Sequence, residues 1–410
     1  MQKLRLREPY DARPTLERVN GGSMDPRAQS TPIQSPAHAS MQTATQSSAE
    51  ASAVPVRPAN ATVRAEGPWT VSRLLVWISA FLTERKIDSP RFTAEILLTA
   101  VLKIERIRLY MEPGRELDSE ELSALRALVA RAGKGEPLQF LVGRWQFFGH
   151  DFLVAPCTLI PRPSTETLVQ SALEWYRARG GGSVAVLDLC TGTGCIAVTL
   201  ALAMRAIARP SGAGCRPLRG GESIDSRAVA EIVARNDGVQ SDAEQSDLGQ
   251  PEMNHSTAAT ALEISVVATD LVADAVALAR ENARRLGASI DARVGDVWAP
   301  ITAQERFDLI VSNPPYVTDA EYDELDHNVR GFEPATALRG GADGLDLVRR
   351  VVDGAAQRLK ENGLLLVEIG WNHGDAARAL VSGPHWRGVD ILKDGDGLDR
   401  VLHAQRTELP

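Results

Sequence analysis

Aromatic residues make up only 5% of this 410-residue chain, and none of its Phe or Trp falls in residues 1–68. That stretch has Tyr10 as its one aromatic and is dense in Ser, Thr, Gln, Pro and Ala. It cannot remove enough apolar surface from water to offset the entropy of ordering it. We therefore expect residues 1–68 to be a disordered leader. Its arginines suggest an import peptide, but Glu8, Asp11, Glu17 and Asp25 are wrong for one. A simple tail, or a start upstream of the true one at Met24 or Met41, is the plainer reading. Cysteine is equally rare: Cys157, Cys190, Cys195 and Cys215, with no C-x-x-C pair. That excludes a disulfide framework, argues against structural zinc or any other metal, and fits a reducing, cytoplasmic compartment. No long hydrophobic run occurs either. The most apolar stretch, Cys195 to Met204, is ten residues broken by Thr199, whereas a membrane span needs roughly 18 or more. The N-terminus has no apolar core of a secretion signal. Positive charge is not in excess: 45 Lys and Arg face 53 Asp and Glu, a net of -8. A general nucleic-acid binder would carry the opposite balance.

What remains can build a core, since 44% of the residues are apolar and 24% charged. After Thr70, a candidate helix cap, Val71, Leu74, Leu75, Ile78, Phe81 and Leu82 fall on one helical stripe. Ser89-Pro90 reads as a second helix start, followed by Ile96, Leu97 and Val101. Asp118 with Glu121 forms a capping-box pattern ahead of Leu122, Leu125, Leu128 and Val129. Residues 69–136 are thus expected to form a small helical bundle. They carry eleven Lys or Arg and ten Asp or Glu, too even for a DNA-reading module. Phe140, Trp145, Phe147, Phe148 and Phe152, punctuated by Gly143 and Gly149, predict a β-hairpin linker over 137–163. The Ile160-Pro161-Arg162-Pro163 run cannot be helical until after Pro163.

From residue 164 onward strands and helices alternate. Strands are expected at Val184–Leu189, Glu263–Thr269, Ile290–Val294, Phe307–Ser312, Leu364–Ile369, Val389–Leu392 and Arg400–Ala404. Helices are expected from near Gly194, at Ala273–Leu286 and at Leu345–Leu359. This pattern predicts an α/β fold with a doubly wound, mostly parallel sheet over 164–410. Residues 205–260 interrupt it with a Gly-, Ser-, Asp-, Gln- and Arg-rich stretch free of aromatics. Loops in α/β units normally span about 2–6 residues, so this is a low-complexity insertion with at most a short helix near Ser226–Arg235.

Open parallel sheets bind ligands at the carboxyl ends of their strands. Four groups fall there. Asp188-Leu189-Cys190-Thr191-Gly192-Thr193-Gly194 is a tight strand-to-helix turn whose glycines admit close backbone approach. Alone it would serve a dinucleotide or plain packing equally well. Asp270 can hold the two hydroxyls of a ribose, or merely cap a helix. Asp296 can accept from an adenine amino group while Val297 flanks the ring, or the pair is an ordinary turn. The fourth group is sharper: Ser312-Asn313-Pro314-Pro315-Tyr316. Its prolines remove two donors and stiffen the chain, leaving carbonyls that only accept. Asn313 adds a side-chain acceptor and Tyr316 a flat face, although Tyr316 could equally serve only to shape the loop. In this order the four groups read as a class I S-adenosylmethionine-dependent methyltransferase acting on a planar nitrogen. If Asn313 and the Pro314 carbonyl accept the two N–H bonds of such an amine, its lone pair is aimed at the methyl carbon. They also stabilise the charge that develops on nitrogen.

The chain resembles the release-factor glutamine methyltransferases (the PrmC/HemK family) from about Trp69 to the C-terminus, outside the insertion. The matching stretches are Glu136-Pro137, Gln139-Phe140-Leu141, Leu159-Ile160-Pro161-Arg162-Pro163, Asp188 to Gly194, and Asn313-Pro314-Pro315-Tyr316. They continue with Glu333 to Leu338, Gly341-Ala342-Asp343-Gly344 and Glu368-Ile369-Gly370-Trp371. The resemblance implies a helical domain that engages a protein substrate, and methylation of the glutamine amide in a release factor's Gly-Gly-Gln tip. The short apolar runs argue against a membrane, and the acidic total with a near-neutral helical segment argues against direct nucleic-acid binding. Two positions depart from it: Cys190 stands where the family usually has glycine, and Ser164 where aspartate is usual. The cysteine side chain either crowds the methionine end of the cofactor or is carried by the backbone, if φ at residue 190 is negative. Rival readings are methylation of a ribosomal protein's glutamine, adenine-N6 or guanine-N2 methylation of nucleic acid, and a cofactor binder without turnover.

Overall fold

The computed structural model describes residues 67–208 and 263–407. Almost all of the expected leader and insertion, including the possible helix at 226–235, lies outside the described residues. Five helices open the described chain: α1 (Val71–Glu84), α2 (Pro90–Leu102), α3 (Arg108–Met111), α4 (Ser119–Ala132) and α5 (Leu138–Val142). The stripe read on α1 is its buried face, with Val71, Leu74, Leu75, Ile78 and Leu82 packed against α2 and α4 residues in a core of their own. The capping box on α4 is formed: Asp118 Oδ1 accepts from the Glu120 and Glu121 amides, and Glu121 Oε2 accepts from the Asp118 amide. Thr70 does precede α1, but its side chain makes no cap. The amides of Val71 and Ser72 donate instead to the carbonyls of Arg115 (2.9 Å) and Pro113 (3.0 Å). A distant loop therefore satisfies the helix start.

The aromatic linker needs a correction. Leu138–Val142 is helical, entered at Pro137 and closed by Gly143 (φ 73°), whose amide donates to Gln139 O. The hairpin is shorter than expected: β1 (Arg144–Phe147) and β2 (His150–Leu153). Phe148 (φ 49°) and Gly149 (φ 79°) form its two-residue loop, both left-handed, which matches the twist of paired strands. As the prolines require, no helix precedes Pro163. A 3₁₀ turn, Pro163–Thr165, leads into α6 (Glu166–Ala178).

A seven-stranded sheet follows, built from β3 (Val184–Leu189), β4 (Ile264–Asp270), β5 (Asp291–Val294), β6 (Phe307–Ser312), β7 (Leu359–Glu368), β8 (Trp386–Lys393) and β9 (Asp399–Arg406). The spatial order is β5-β4-β3-β6-β7-β9-β8. The first five are parallel, and β9 runs antiparallel to both β7 and β8. Between them run α7 (Cys195–Ala208), α8 (Ala273–Leu286), α9 (Asp319–Glu324), α10 (His327–Arg330), α11 (Asp346–Arg358) and α12 (Gly374–Leu380). Alternate strand residues face opposite layers: Val186, Val266, Leu309 and Leu364 pack with α6 and α7, while Leu187, Val267, Ile310 and Leu365 pack with α11. Both faces are covered, which is why these strands read as unbroken apolar runs. This is the class I methyltransferase architecture. α7 extends to Ala208, so residues 205–208 are helix rather than the start of an insertion. β7 begins five residues earlier than expected, across a register shift near Phe307. No helix of the described residues is long and apolar enough to cross a membrane.

Candidate active site

The strand order switches direction between the parallel neighbours β3 and β6: β4 and β5 are added to one side, β7, β9 and β8 to the other. The loops leaving these two neighbours diverge and open a crevice. The first is the Asp188–Gly194 turn. Asp188 itself is fully buried beneath the loop. Its Oδ2 accepts from the Thr191 hydroxyl (2.5 Å) and the Ala197 amide (3.2 Å), so it ties the turn to the first residues of α7. Burial pushes its carboxyl up to about 7, with Asp270 adding to the rise and those two hydrogen bonds opposing it. Oδ1 has no partner.

Cys190 does not have the negative φ under which the backbone would carry its side chain without strain. It sits at +61°, in the left-handed region. The cause is the next residue, whose amide is drawn across to Thr269 O at 2.9 Å. A non-glycine residue there costs roughly 1–2 kcal/mol. Burial and the neighbouring carboxylates of Asp270 and Asp188 push its thiol up to about 12, which leaves no thiolate for nucleophilic chemistry. Gly192 (φ 53°) and Gly194 (φ 79°) complete the turn. A Cβ on Gly194 would come within 2.9 Å of Ala279 on α8, so glycine permits that helix to pack. Thr193 is buried; its carbonyl accepts from Asn282 Nδ2 (2.9 Å).

Asp270 closes over this turn. Its Oδ2 accepts from the Gly192 amide (2.8 Å) and Oδ1 from the Val272 amide (2.9 Å). The Gly295 amide donates to Asp270 O (2.9 Å), which brings the loop after β5 alongside. In that loop Asp296 pairs with Arg350 Nη2 at 2.7 Å, while Val297 (φ 47°) is buried in the apolar layer beneath. On the other side of β3, Ser312 Oγ donates to Leu189 O (2.9 Å). All four sequence-derived groups thus line one edge of the sheet.

Asn313 follows immediately, half-buried, and its Nδ2 donates to Thr165 Oγ1 at 3.1 Å. Pro314 and Pro315 are buried. The Tyr316 hydroxyl donates to Glu368 Oε1 (3.0 Å), and burial beside that carboxylate raises its pKa. This anchor supports the loop-shaping role left open for Tyr316. The loop is braced from outside by Val317 N to Leu338 O and Gly340 N to Val317 O, both 2.8 Å.

Several residues around the site had no role assigned from sequence. Glu333, 4% exposed, accepts from the Ile160 amide (3.0 Å) and the Arg162 guanidinium, joining two of the family segments. Asn282 bonds both backbone groups of Leu153 as well as Thr193 O. Thr165 and Glu368 stand behind Asn313 and Tyr316. Family segments flagged Arg162, Glu333 and Glu368, but Asn282 left no signal beyond being a polar residue in a buried helical position.

The donor set suits a cationic ligand. Asp188 and Asp270 border a turn with no Lys or Arg in it, so a dinucleotide's pyrophosphate would meet carboxylates. A sulfonium would be stabilised by the same groups. Asp270 retains lone pairs on both oxygens for a ribose. Among the described residues no group of three or more His, Cys, Asp or Glu could hold a metal ion.

Comparison with known proteins decides the family. The PrmC N-terminal domain model matches residues 73–143, and the methyltransferase small domain model matches 249–329. The release factor glutamine methyltransferase of Geobacter sulfurreducens is 34% identical over 334 residues, covering 82% of this chain and 96% of that protein. The chain belongs to the release factor glutamine methyltransferase family. Its relatives of that name include one from Nitratidesulfovibrio vulgaris, 34% identical over 83% of this chain and 96% of its own length. The Bacillus subtilis member is 31% identical, over 82% and 97% respectively. Among solved structures, a ribosomal protein L11 methylase from Lactobacillus delbrueckii aligns with a TM-score of 0.33 at 15% identity, covering 60% of this chain and 79% of that one.

Proposed function

We propose that this protein transfers the methyl group of S-adenosylmethionine to the side-chain amide nitrogen of the glutamine in a release factor's Gly-Gly-Gln motif. The observation that carries this reading is the polarity of Asn313. Its NH2 donates one N–H to Thr165 Oγ1, and Oδ1 serves as an acceptor for an incoming amide N–H. An amide nitrogen is a poor nucleophile because its lone pair is shared with the carbonyl. Held by Asn313 Oδ1 on one N–H, and by the Pro314 carbonyl on the other, it is oriented rather than deprotonated first. Asp188, Cys190, Thr191, Gly192, Thr193 and Gly194 with Asp270, Asp296 and Val297 form the cofactor side. Bound there, S-adenosylmethionine supplies an electrophilic methyl carbon. Both acceptors then stabilise the positive charge that builds on nitrogen. The nitrogen sheds one proton after transfer.

The helical segment 71–141, with its own core, is the part we assign to engaging the protein substrate. The near balance of charge over 69–136 suits a protein partner better than a phosphate backbone. Radiolabel transfer from S-adenosylmethionine tests the reading. Purified release factor should be labelled and its Gln→Ala variant should not. Label on ribosomal protein or DNA, with none on release factor, would overturn the substrate assignment.

A further inference from the structure

The loop after β5 and the helix α11 beside it each contain a residue that weakens its own element. Val297 stands at φ 47°, a left-handed conformation that a β-branched side chain keeps only where its surroundings hold it. Gly354 lies inside α11, where glycine destabilises a helix. Arg350, also on α11, connects the two, because it takes hold of both chain neighbours of Val297. Its Nη2 donates to Asp296 Oδ2 at 2.7 Å, and its backbone carbonyl accepts from the Trp298 indole Nε1 at 2.7 Å. The second contact requires Gly354, since a Cβ there would overlap the indole ring. Gripped on either side, Val297 packs its own side chain into the apolar layer with Leu187, Leu189 and Val267.

We propose that Arg350 is a positioning residue for the cofactor: acting through Asp296, it makes this site read the 6-amino group of the adenine. This rests on the placement of Asp296 on the cofactor side under the proposed function. An unheld aspartate at a half-exposed position exchanges among several rotamers. Asp296 is held at both ends. Its carbonyl accepts from the Ala299 amide (3.0 Å), and the Gly295 amide just before it donates to Asp270 O (2.9 Å), which ties this loop to the residue placed for the ribose. Its side chain is fixed by the Arg350 fork through Oδ2, and among the described residues no hydrogen bond is made to Oδ1. The lone pairs of Oδ1 are therefore left for an exocyclic N–H. A purine with a 6-oxo group in the same place would set acceptor against acceptor. The Arg350 and Asp296 side chains are 47% and 53% exposed, a setting in which an ion pair adds little to folding. What it adds here is direction.

Calorimetric titration of the full chain with two ligands tests this: S-adenosylhomocysteine, and S-inosylhomocysteine, which carries a 6-oxo group in place of the amine. Wild type should prefer the adenine ligand on the order of 10- to 100-fold, the range of a hydrogen bond to a charged group. Arg350→Met keeps an unbranched stem and loses the fork. It should reduce that preference to within about 3-fold, chiefly by weakening S-adenosylhomocysteine. In an Asp296→Ala background, where the preference is already lost, adding Arg350→Met should change it no further. An Arg350→Met protein that keeps the wild-type preference would overturn the inference. So would one that loses both ligands equally, which would mark a general packing role. Should Asp296→Ala also keep the preference, or wild type show none, Asp296 is not the adenine reader, and its place in the proposed function falls together with the inference. Loss of preference in Asp296→Ala but not in Arg350→Met sinks the inference alone.

Discussion

Asp188→Asn is the perturbation whose size follows most directly from the structure. The wild-type carboxyl moves from an ordinary 3.8 to about 7 because it is buried next to Asp270. Roughly three units at about 1.4 kcal/mol each make a difference of about 4 kcal/mol between its two protonation states. The sign is unfavourable to folding. Below pH 3.8 the group is protonated in both the folded and unfolded chain and has no effect. As pH rises toward 7 the unfolded chain loses its proton while the folded one keeps it. Stability from this group therefore falls by up to about 1.4 kcal/mol per pH unit and levels off above about pH 7. Asparagine cannot titrate. The unfolding free energy of Asp188→Asn minus that of wild type should thus climb by about 2–3 kcal/mol between about pH 5 and 7 and then flatten. An amide placed where Asp188 Oδ1 lacks a partner shifts the whole difference by a constant and leaves its slope intact. Denaturant titrations at about pH 5, 6, 7 and 8 measure it. A difference that does not change with pH would refute the reasoning.

The same proton links to function. A sulfonium near the turn favours the ionised form of Asp188, so S-adenosylmethionine should bind more tightly as pH rises from about 5.5 toward about 7.5. Calorimetry should show this dependence weakened for S-adenosylhomocysteine, which lacks the cationic sulfur, and lost in Asp188→Asn.

Other substitutions probe the neighbouring parts. Asn313→Ala should lower transfer at least about 100-fold while isothermal titration shows cofactor binding intact; equal loss of both would remove Asn313 from its assigned role. Gly344→Ala should reduce kcat, because at φ 74° its new Cβ would overlap the Tyr316 carbonyl oxygen and the His373 ring; full activity in label transfer would show that the Pro-Pro-Tyr loop has room to move. Glu333→Ala should cost about 3 kcal/mol in denaturant titrations, since it strands Arg162 and the Ile160 amide. A cost below about 1 kcal/mol would class the pair with exposed ion pairs instead.

What could be read from sequence was whatever neighbouring residues decide among themselves. The Asp118 capping box spans three positions and was legible; the start of α1 was not, because Pro113 and Arg115 satisfy it from about 40 positions away. Ala273–Leu286 and Phe307–Ser312 match their expected limits, since a one-sided helical period and a doubly buried strand are properties of short windows. Leu138–Val142 misled because Pro137 and Gly143 bound a single helical turn as readily as they flank a strand. The site divides along the same line. Its loops could be placed at one sheet edge because strand ends are local and parallel packing lines them up. The left-handed Cys190 was hidden, as a hydrogen bond from Thr191 to another strand imposes it. The direction in which Asn313 points is the extreme case, since its Nδ2 donates to Thr165, 148 positions away. A motif such as Asn-Pro-Pro-Tyr can specify which atoms are available, but only the fold can specify which of them faces the substrate.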